Sequence, residues 1–399
     1  MQPRAATVRA VNRLTQRWAR GLSGHEATVF SAPSLWPLLA LLADPADGPA
    51  RDELEDAVGV RADSAIRMAH ELLDAFGGIR GTRTAVGFWT APDLPLHPEW
   101  TLRLPTGLTG LLDSDPAVSQ ERLDAWASRN TDGLIDAMPV DVHKDTELVL
   151  AGAQLVRTRW LRPFRETLLL PDSGPWQGRE LLGLHRFTSL HDRVGVAHTA
   201  AGPLTLVQVL GDTGVDVHLL LGPEEMTPST VLSEGIGALS GDLVPGDRLP
   251  LGRPGPGLLV SDERSARPDP QLDLTACPFR VTARHDLLKD AARYGLESAS
   301  NAGRGHFPGI GPRPLAIGAA AQSALAVFDA EGFESAAVTA LAAVAGGAPP
   351  APRHTVRRIE AAFDRPFGFL TVHRTSRLVL TAGWVADPTP YPERDWMRG

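Results

Sequence analysis

One segment near the carboxyl end constrains this chain more than any other, because its residues can contribute little to a hydrophobic core. Residues 331–352 read EGFESAAVTALAAVAGGAPPAP, with small side chains at nearly every position, then paired glycines and three prolines. Such a stretch has little apolar area to bury, and we expect it to be exposed. Residues 335–344 contain neither glycine nor proline, so they could form a strand or a helix. The sequence therefore predicts a segment with two accessible states.

Composition excludes several classes of protein. The chain has 399 residues, of which 43% are hydrophobic and 22% are charged, as is typical of a folded globular protein. The formal net charge is −8 and the basic residues form no block, so we expect neither a nucleic-acid partner nor a membrane partner. The longest apolar run, residues 35–43, is interrupted by Pro37 and is far shorter than the ~18 residues of a membrane span.

Residue usage bears on origin and chemistry. Lys144 and Lys289 are the two lysines, and this preference for arginine, with abundant Ala, Gly and Pro, is typical of a GC-rich bacterial genome. The single cysteine, Cys277, allows neither an internal disulfide nor a thiolate metal cluster. The sequence contains no nucleophile elbow, no metal-ligand spacing and no phosphate loop. We therefore expect a protein that is not an enzyme and needs no metal or cofactor.

The amino-terminal residues have the pattern of a packed helix. Val8, Val11, Leu14, Trp18 and Leu22 fall on one face, and arginines occupy the others. A secretion signal would need an uninterrupted apolar stretch instead. We expect a cytoplasmic protein, with a secreted one as the alternative if a leader has been removed.

The order of predicted elements indicates an α+β protein. Helical spacing dominates the first half of the chain, and extended apolar runs dominate the second half. The predicted helices are residues 51–58, 65–76 and 119–138, and the predicted strands are residues 147–155, 204–209, 215–221 and 279–283. No internal repeat and no break in composition divides the chain. We expect a single domain over residues 1–399.

Six short motifs, in order along the chain, resemble the serpin superfamily, with an actinomycete-like bacterial member as the nearest type. No single motif is specific, because each is short and degenerate, but six in the right order make chance similarity very improbable. They are FSAPSLWPLLALLA at 30–43, LDAWASRNTDGLID at 123–136, Trp160 with Pro163 and Phe164, FRVTARHDLLKDAARYGL at 279–296, FDAEGFESAAVTA at 328–340 and FDRPFGFLTVHRTSRLVLTAGWVADP at 363–388.

The resemblance implies an α+β domain of three β-sheets and about nine helices, with an exposed reactive-centre loop at residues 331–358. It also implies a serine protease as partner. The protease attacks the loop and forms an acyl-enzyme, and the cleaved loop then inserts as a new strand of the main sheet, trapping the protease. We expect such an inhibitor to act as a monomer.

The resemblance assigns the hinge of the loop to residues 331–339. These residues are Glu331, Gly332, Phe333, Glu334, Ser335, Ala336, Ala337, Val338 and Thr339. On insertion, every second residue beginning with Phe333 would face the core. Phe333 is bulkier than the residue usual in inhibitors, and Ala330 stands where inhibitors carry glutamate. The ring either overpacks the sheet, at a cost of ~1–3 kcal/mol, or is buried beforehand and anchors the hinge.

The residues expected where the sheet opens also differ from the family pattern. Ser31 and Ser34 match the two family serines, and Trp160 matches the family tryptophan. Gly152 replaces the family asparagine, and Gln322 replaces a histidine. The hydrogen-bond network is therefore only half retained, although the amide of Gln322 could restore part of it.

The position of the scissile bond has two alternatives. Counting from the hinge places it at Ala345, Gly346 and Gly347, which suits a protease with a small pocket, elastase-like or subtilisin-like. Counting back from the carboxyl-terminal signature gives Thr355, so the loop carries about nine extra residues. If these residues precede the bond, the alternative is Arg353 or Arg357, which suits a trypsin-like protease. The second class of function is a non-inhibitory protein of this fold that binds a small apolar ligand or a protein partner, recruited to another pathway.

Overall fold

The computed structural model describes residues 3–301, 303–333 and 352–392. Within these ranges it contains seven α-helices, four short 3₁₀ segments and nineteen strands. The α-helices are α1 Ala5–Arg20, α2 Trp36–Ala43, α3 Gly48–Val58, α4 Ala62–Phe76, α5 Pro98–Arg103, α6 Pro116–Asn130 and α7 Pro228–Ala238. The 3₁₀ segments are Ala32–Ser34, His191–Arg193, Gly246–Arg248 and Leu287–Tyr294. None of the helices in these ranges has the length and apolar character needed to cross a membrane.

The strands form three sheets, so the predicted α+β class with three sheets is confirmed. The main sheet contains, in spatial order, β3 Thr109–Leu111, β2 Thr82–Thr90, β4 Leu148–Val156, β15 Ala319–Phe328, β16 Gly332–Phe333 and β5 Thr158–Arg159, with β14 Phe279–Asp286 also paired to β15. The back sheet contains β1 Thr28–Phe30, β19 Val379–Val385, β18 Phe367–His373, β10 Val215–Leu221, β9 Gly202–Val209, β8 Val194–Thr199 and β11 Leu243–Pro245. The side sheet contains β12 Leu258–Ser265, β17 His354–Phe363, β13 Gln271–Ala276, β7 Leu181–Thr188 and β6 Arg165–Leu169.

The centre of the main sheet is a pair of parallel strands. β4 runs parallel to β15, with Ala319 opposite Val149 and Ala324 opposite Gln154. All nine residues of β4 are buried, as expected for a strand that is covered on both faces. On its inner side the sheet shares one large hydrophobic core with the back sheet and with helix α2. A smaller core on its outer side lies beneath α6.

The predicted helix at residues 119–138 is too long, because α6 ends at Asn130. The Thr131 hydroxyl donates to the Ala127 carbonyl and accepts from the Ile135 amide. In a continuing helix, backbone groups of Thr131 would make both of these hydrogen bonds. Gly133 has a φ of 79°, in the left-handed region that ends helices. Residues after the turn, including Ile135 and Met138, still pack in the outer core. The apolar pattern that extended the predicted helix therefore belongs to a buried turn.

Candidate functional site

The hinge begins as a tight turn at the end of β15. After Phe328 the chain reverses direction and returns as β16, so that Phe333 lies opposite Phe328. The Asp329 carboxylate accepts hydrogen bonds from the amides of Glu331, at 2.8 Å, and Gly332, at 2.9 Å. A short acidic side chain that bonds amides two and three residues ahead stabilises such a turn. The first residues of the hinge therefore have a defined conformation.

Two residues of the Trp160 motif hold this turn from the other side. The indole Nε1 of Trp160 donates to the Asp329 carbonyl at 2.8 Å, and the Trp160 amide donates to the Glu331 carbonyl at 2.9 Å. The Phe164 amide donates to the intervening Ala330 carbonyl at 2.8 Å. Three successive carbonyls of the turn are thus bonded by one short segment. At residue 330 the bonded group is the backbone carbonyl, so this hydrogen bond does not depend on the side chain of Ala330.

Phe333 is buried in the structure, as the anchoring alternative requires. Its side chain is 1% exposed, and its ring centroid lies 6.2 Å from that of Phe369 on the back sheet. Phe328, directly opposite, stacks on Phe279 and packs against Trp160. The ring therefore fills a prepared aromatic site at the top of the main sheet. Burying a phenylalanine side chain contributes about 1.5–3 kcal/mol, which favours a hinge that starts inside the sheet.

Below the hinge, a buried hydrogen-bond network, which we term the latch, joins Ser31, Ser34 and Gln322. The Gln322 amide nitrogen donates to the Ser31 carbonyl at 2.6 Å and to the Ser34 hydroxyl at 2.8 Å. Its amide oxygen accepts from the Ser31 backbone amide at 2.9 Å. Ser31 also donates through its hydroxyl to the Leu380 carbonyl at 2.8 Å. One glutamine side chain thus ties the main sheet to the 3₁₀ segment beneath it.

Gly152 completes the latch by letting the backbones approach. It lies opposite Gln322 in the parallel pair. A Cβ atom at residue 152 would lie 2.7 Å from the Ser34 carbonyl oxygen, a distance that requires movement of the backbone. A larger residue at position 152 and the present position of Ser34 are therefore incompatible. The replacements at 152 and 322 act together, since the glycine makes room and the glutamine supplies the polar groups.

His285 belongs to the same region and was missed by the sequence reasoning. It lies on β14 directly opposite Gln322, and its ring Nε2 donates to the Val29 carbonyl at 2.9 Å. Trp18 packs edge-on against the imidazole at 5.1 Å. Burial lowers the pKa of His285, which favours the neutral form of the ring. The signal in the sequence is weak, because His285 is one of several polar residues that alternate along this strand.

The carboxyl end of the predicted loop is fixed to the side sheet. The Arg353 amide donates to the Ser265 carbonyl at 3.0 Å, and the Arg264 guanidinium donates to the Pro352 carbonyl at 3.0 Å. β17 begins at the next residue, between β12 and β13. Residues 354–358, predicted as part of the exposed loop, instead form the start of β17, because their backbones pair with β12. Residues 334–351 of the predicted loop lie outside the described residues. They include Glu334, Ser335, Ala336, Ala337, Val338, Thr339, Ala345, Gly346 and Gly347.

Two observations concern metal binding and the single cysteine. No group of three or more His, Cys, Asp or Glu side chains within it could hold a metal ion. Cys277 is buried, and burial raises the pKa of its thiol to about 12. The thiol is therefore protonated at neutral pH and is a poor nucleophile.

Comparisons with known proteins point to one family. The family model described as "Serpin (serine protease inhibitor)" matches residues 7–172. Serpin-Z2A of Oryza sativa subsp. japonica is 27% identical, covering 96% of each chain, and Serpin-Z2B of the same organism is 25% identical, covering 94% of this chain and 95% of its own. These relatives are plant proteins, so they give no support for the bacterial origin predicted from composition.

Solved structures with the same fold cover nearly the whole chain. Thyroxine-binding globulin in complex with thyroxine aligns with a TM-score of 0.70 at 16% identity, covering 96% of this chain and 99% of its own. A serpin from the trematode Schistosoma haematobium aligns with a TM-score of 0.68 at 13% identity, covering 96% and 100%. At these identities the alignments establish the fold, and the residues of the site must carry any argument about function.

Proposed function

This chain belongs to the serpin superfamily, and from that premise we propose that it is a serine protease inhibitor that traps its target by loop cleavage and strand insertion. The proposal takes residues 1–399 as one domain, with a reactive-centre loop that starts at Glu331 and ends before β17, which begins at His354. One observation carries it. β16 already lies between β15 and β5, antiparallel to both, at the top of the slot that an inserting strand would fill.

The register of β16 extends consistently down the slot. Phe333 is opposite Phe328 on one side and Thr158 on the other. Nine residues further along an antiparallel strand, Ala342 would lie opposite both Ala319 and Val149. Those two residues are partners in the present sheet. A strand continuing from Phe333 would therefore enter the β4–β15 pair without a register shift on either side.

The same register brings Thr339 to the latch. Six residues beyond Phe333, it would lie between Gln322 and Gly152. Phe333 faces the core, so Thr339 would face it too, toward Ser31 and Ser34. Its hydroxyl could then replace hydrogen bonds that the parting strands lose. The small residues Ser335 and Ala337 would fill the positions between, and these sizes favour insertion.

Two observations bear on the position of the scissile bond. Insertion as far as Ala342 requires cleavage beyond that residue, a condition that Ala345, Gly346, Gly347 and Arg353 all satisfy. Arg353, the alternative, donates its amide to the edge of the side sheet, which hinders its entry into a protease active site in extended form. We therefore infer an elastase-like or subtilisin-like target with a small pocket. The predicted bacterial origin, monomeric state and cytoplasmic location stay predictions.

The test is incubation of the full chain with an elastase-like, a subtilisin-like and a trypsin-like protease. We expect an SDS-resistant complex with the first two, and a higher melting temperature of the loop-cleaved protein. Thr339→Arg would put a charge against the latch, so this variant is expected to be cleaved without forming the complex. Glu334→Arg is the matched control, since residue 334 would face outward beside the half-exposed Val327. Absence of the complex with every protease, together with no rise in melting temperature, would refute trapping.

A second candidate, binding of a small apolar ligand without inhibition, is favoured by a groove between α1 and α7. The groove has a volume of about 460 Å³ and is lined by apolar residues such as Val8 and Ile236 with arginines Arg9 and Arg13 at its side. One structural neighbour was solved with thyroxine bound. Under this alternative the loop would be cleaved as a substrate, and an apolar anionic fluorophore would bind in the groove. A Val8→Arg variant would then lose the fluorophore.

A further inference from the structure

A second, smaller cavity lies between the side sheet and the back sheet, close to the hinge. It has a volume of about 110 Å³. Three arginines, Arg162, Arg186 and Arg193, line it together with Gln208 and leucines from both sheets. No Asp or Glu side chain is among its lining residues. Arg162 is exposed, whereas Arg186 and Arg193 are partly buried, so these two are the cations that an anion in the cavity would meet.

Arg186 is the most deeply placed of the three cations. Its Nε is shielded from solvent and has no hydrogen-bond partner among the described residues. One terminal nitrogen donates to the Arg162 carbonyl at 3.0 Å, and the guanidinium carbon lies 4.5 Å from the centroid of the Phe164 ring. In the described part of the chain, neither Arg186 nor Arg162 pairs with a carboxylate. Burial, with a smaller contribution from Arg162, lowers the pKa of Arg186 to about 10.

Arg193 supplies a second unused donor. Its Nε is also shielded and without a partner in the described chain. Its other nitrogens are engaged, one with the Gln208 amide oxygen at 3.1 Å and one with Asp192 at 3.1 Å. The Asp192 side chain is 60% exposed, so solvent screens this pair and it neutralises the cavity only weakly. The Arg193 side chain is itself 35% exposed, so only its Nε is shielded from solvent. The Nε–H groups of Arg186 and Arg193 thus have no acceptor in the described chain, and a shielded donor without an acceptor costs free energy.

The walls of the cavity determine which anion fits. Leu161, Leu190, Leu210 and Leu272 line it beside the arginines. An inorganic phosphate or sulfate has no apolar part to place against these leucines. A cavity of ~150 Å³ holds a benzene molecule, so this smaller one suits a short aliphatic chain. We propose that the cavity is a binding site for a small carboxylate with a short aliphatic chain, whose carboxylate is held by Arg186 and Arg193 and whose chain contacts the leucines.

The proposal does not rest on protease inhibition and is tested without a protease. Butyrate is titrated into the full chain at low ionic strength, with binding followed by calorimetry. A ligand of this size is expected to bind with a Kd on the order of 1 mM. 1-Butanol, which lacks the charge, and inorganic phosphate, which lacks the chain, are expected not to bind measurably. Equal binding of phosphate and butyrate would overturn the carboxylate assignment.

Variants identify the site. Arg193→Gln removes one unused donor and is expected to weaken butyrate binding about tenfold or more. Arg165→Gln is the matched control, because Arg165 is exposed and does not line the cavity. An Arg186 variant could disturb Phe164 and the hinge, so the second variant is Leu190→Trp, which fills the cavity from its apolar side. Unchanged butyrate affinity in both Arg193→Gln and Leu190→Trp would refute the proposed site.

Discussion

At the scale of single residues, the polar side chain that matters most is Gln322. Its amide makes three hydrogen bonds to Ser31 and Ser34 in a region without access to solvent. A buried donor or acceptor that loses its partner costs about 1–3 kcal/mol. Gln322→Leu leaves the Ser31 amide without its acceptor, whereas the Ser31 carbonyl keeps the Ser34 hydroxyl as a donor. We therefore expect the free energy of unfolding in urea to fall by ~1–3 kcal/mol. The control is Gln177→Leu at an exposed site, and an equal loss there would contradict the role of the latch.

Phe333 is the second residue whose effect can be measured directly. Because its ring is buried beside Phe369, Phe333→Ala leaves a cavity at the top of the main sheet. Such truncations cost about 3–5 kcal/mol in well-packed sites. We expect a lower urea midpoint for Phe333→Ala, with a smaller loss for Phe333→Leu. If Phe333→Thr instead forms more protease complex at unchanged stability, the ring hinders insertion and does not anchor the hinge.

At the scale of elements, the question is whether β4 and β15 must separate. Ala151 and Ala321 are partners in the parallel pair. Neighbouring strands lie about 4.8 Å apart, within the range that a disulfide spans. We expect the oxidised Ala151→Cys, Ala321→Cys double variant to be cleaved by the protease without trapping it, and the reduced form to trap.

A matched disulfide separates this effect from general rigidity. Ala283 and Ala324 are partners across β14 and β15, which stay together when a strand enters between β4 and β15. The oxidised Ala283→Cys, Ala324→Cys variant should therefore still form the SDS-resistant complex. The native Cys277 is buried and does not compete for the cross-link. Loss of trapping in both oxidised variants would point to rigidity and not to the opening of one strand pair.

At the scale of the whole molecule, buried histidines make stability depend on pH. Burial, assisted by Arg377 and Arg193 and opposed by Asp216, lowers the pKa of His218 to about 3. An unfolded histidine titrates near 6.5, so below that pH the unfolded chain binds a proton that the folded chain does not. The stability present above pH ~6.5 is therefore lost progressively as the pH falls toward about 3. Burial lowers the pKa of His285 and His373 in the same direction.

The contribution of His218 is measured by urea unfolding between pH 7 and pH 4. One proton taken up on unfolding corresponds to a slope of ~1.4 kcal/mol per pH unit. His218→Leu should reduce the slope below pH 6 by about this amount, and the exposed His198→Leu should leave it unchanged. Identical slopes in the wild-type protein and His218→Leu would show that His218 does not carry the effect.

The apolar pattern along the chain predicted the bounds of some elements well and the bounds of others poorly. The strand predicted at residues 215–221 has those bounds in the structure, where all seven of its residues are buried, including Asp216 and His218. The helix predicted at 119–138 failed at its end, where Thr131 and Gly133 form a turn that still buries apolar residues. Periodicity reports that a residue is buried, and it does not report which backbone conformation buries it.

The sequence by itself determined the α+β class, the superfamily resemblance and the order of the motifs, because these depend on residue types and their spacing. Tertiary structure decided three things that spacing could not. It buried Phe333 against Phe369, and it joined Gln322 to Ser31 and Ser34. It also placed Arg186 where no carboxylate of the described residues pairs with it. Each of these involves contacts between segments far apart in the chain. Their energies depend on which surfaces meet after folding, and no local pattern encodes that information.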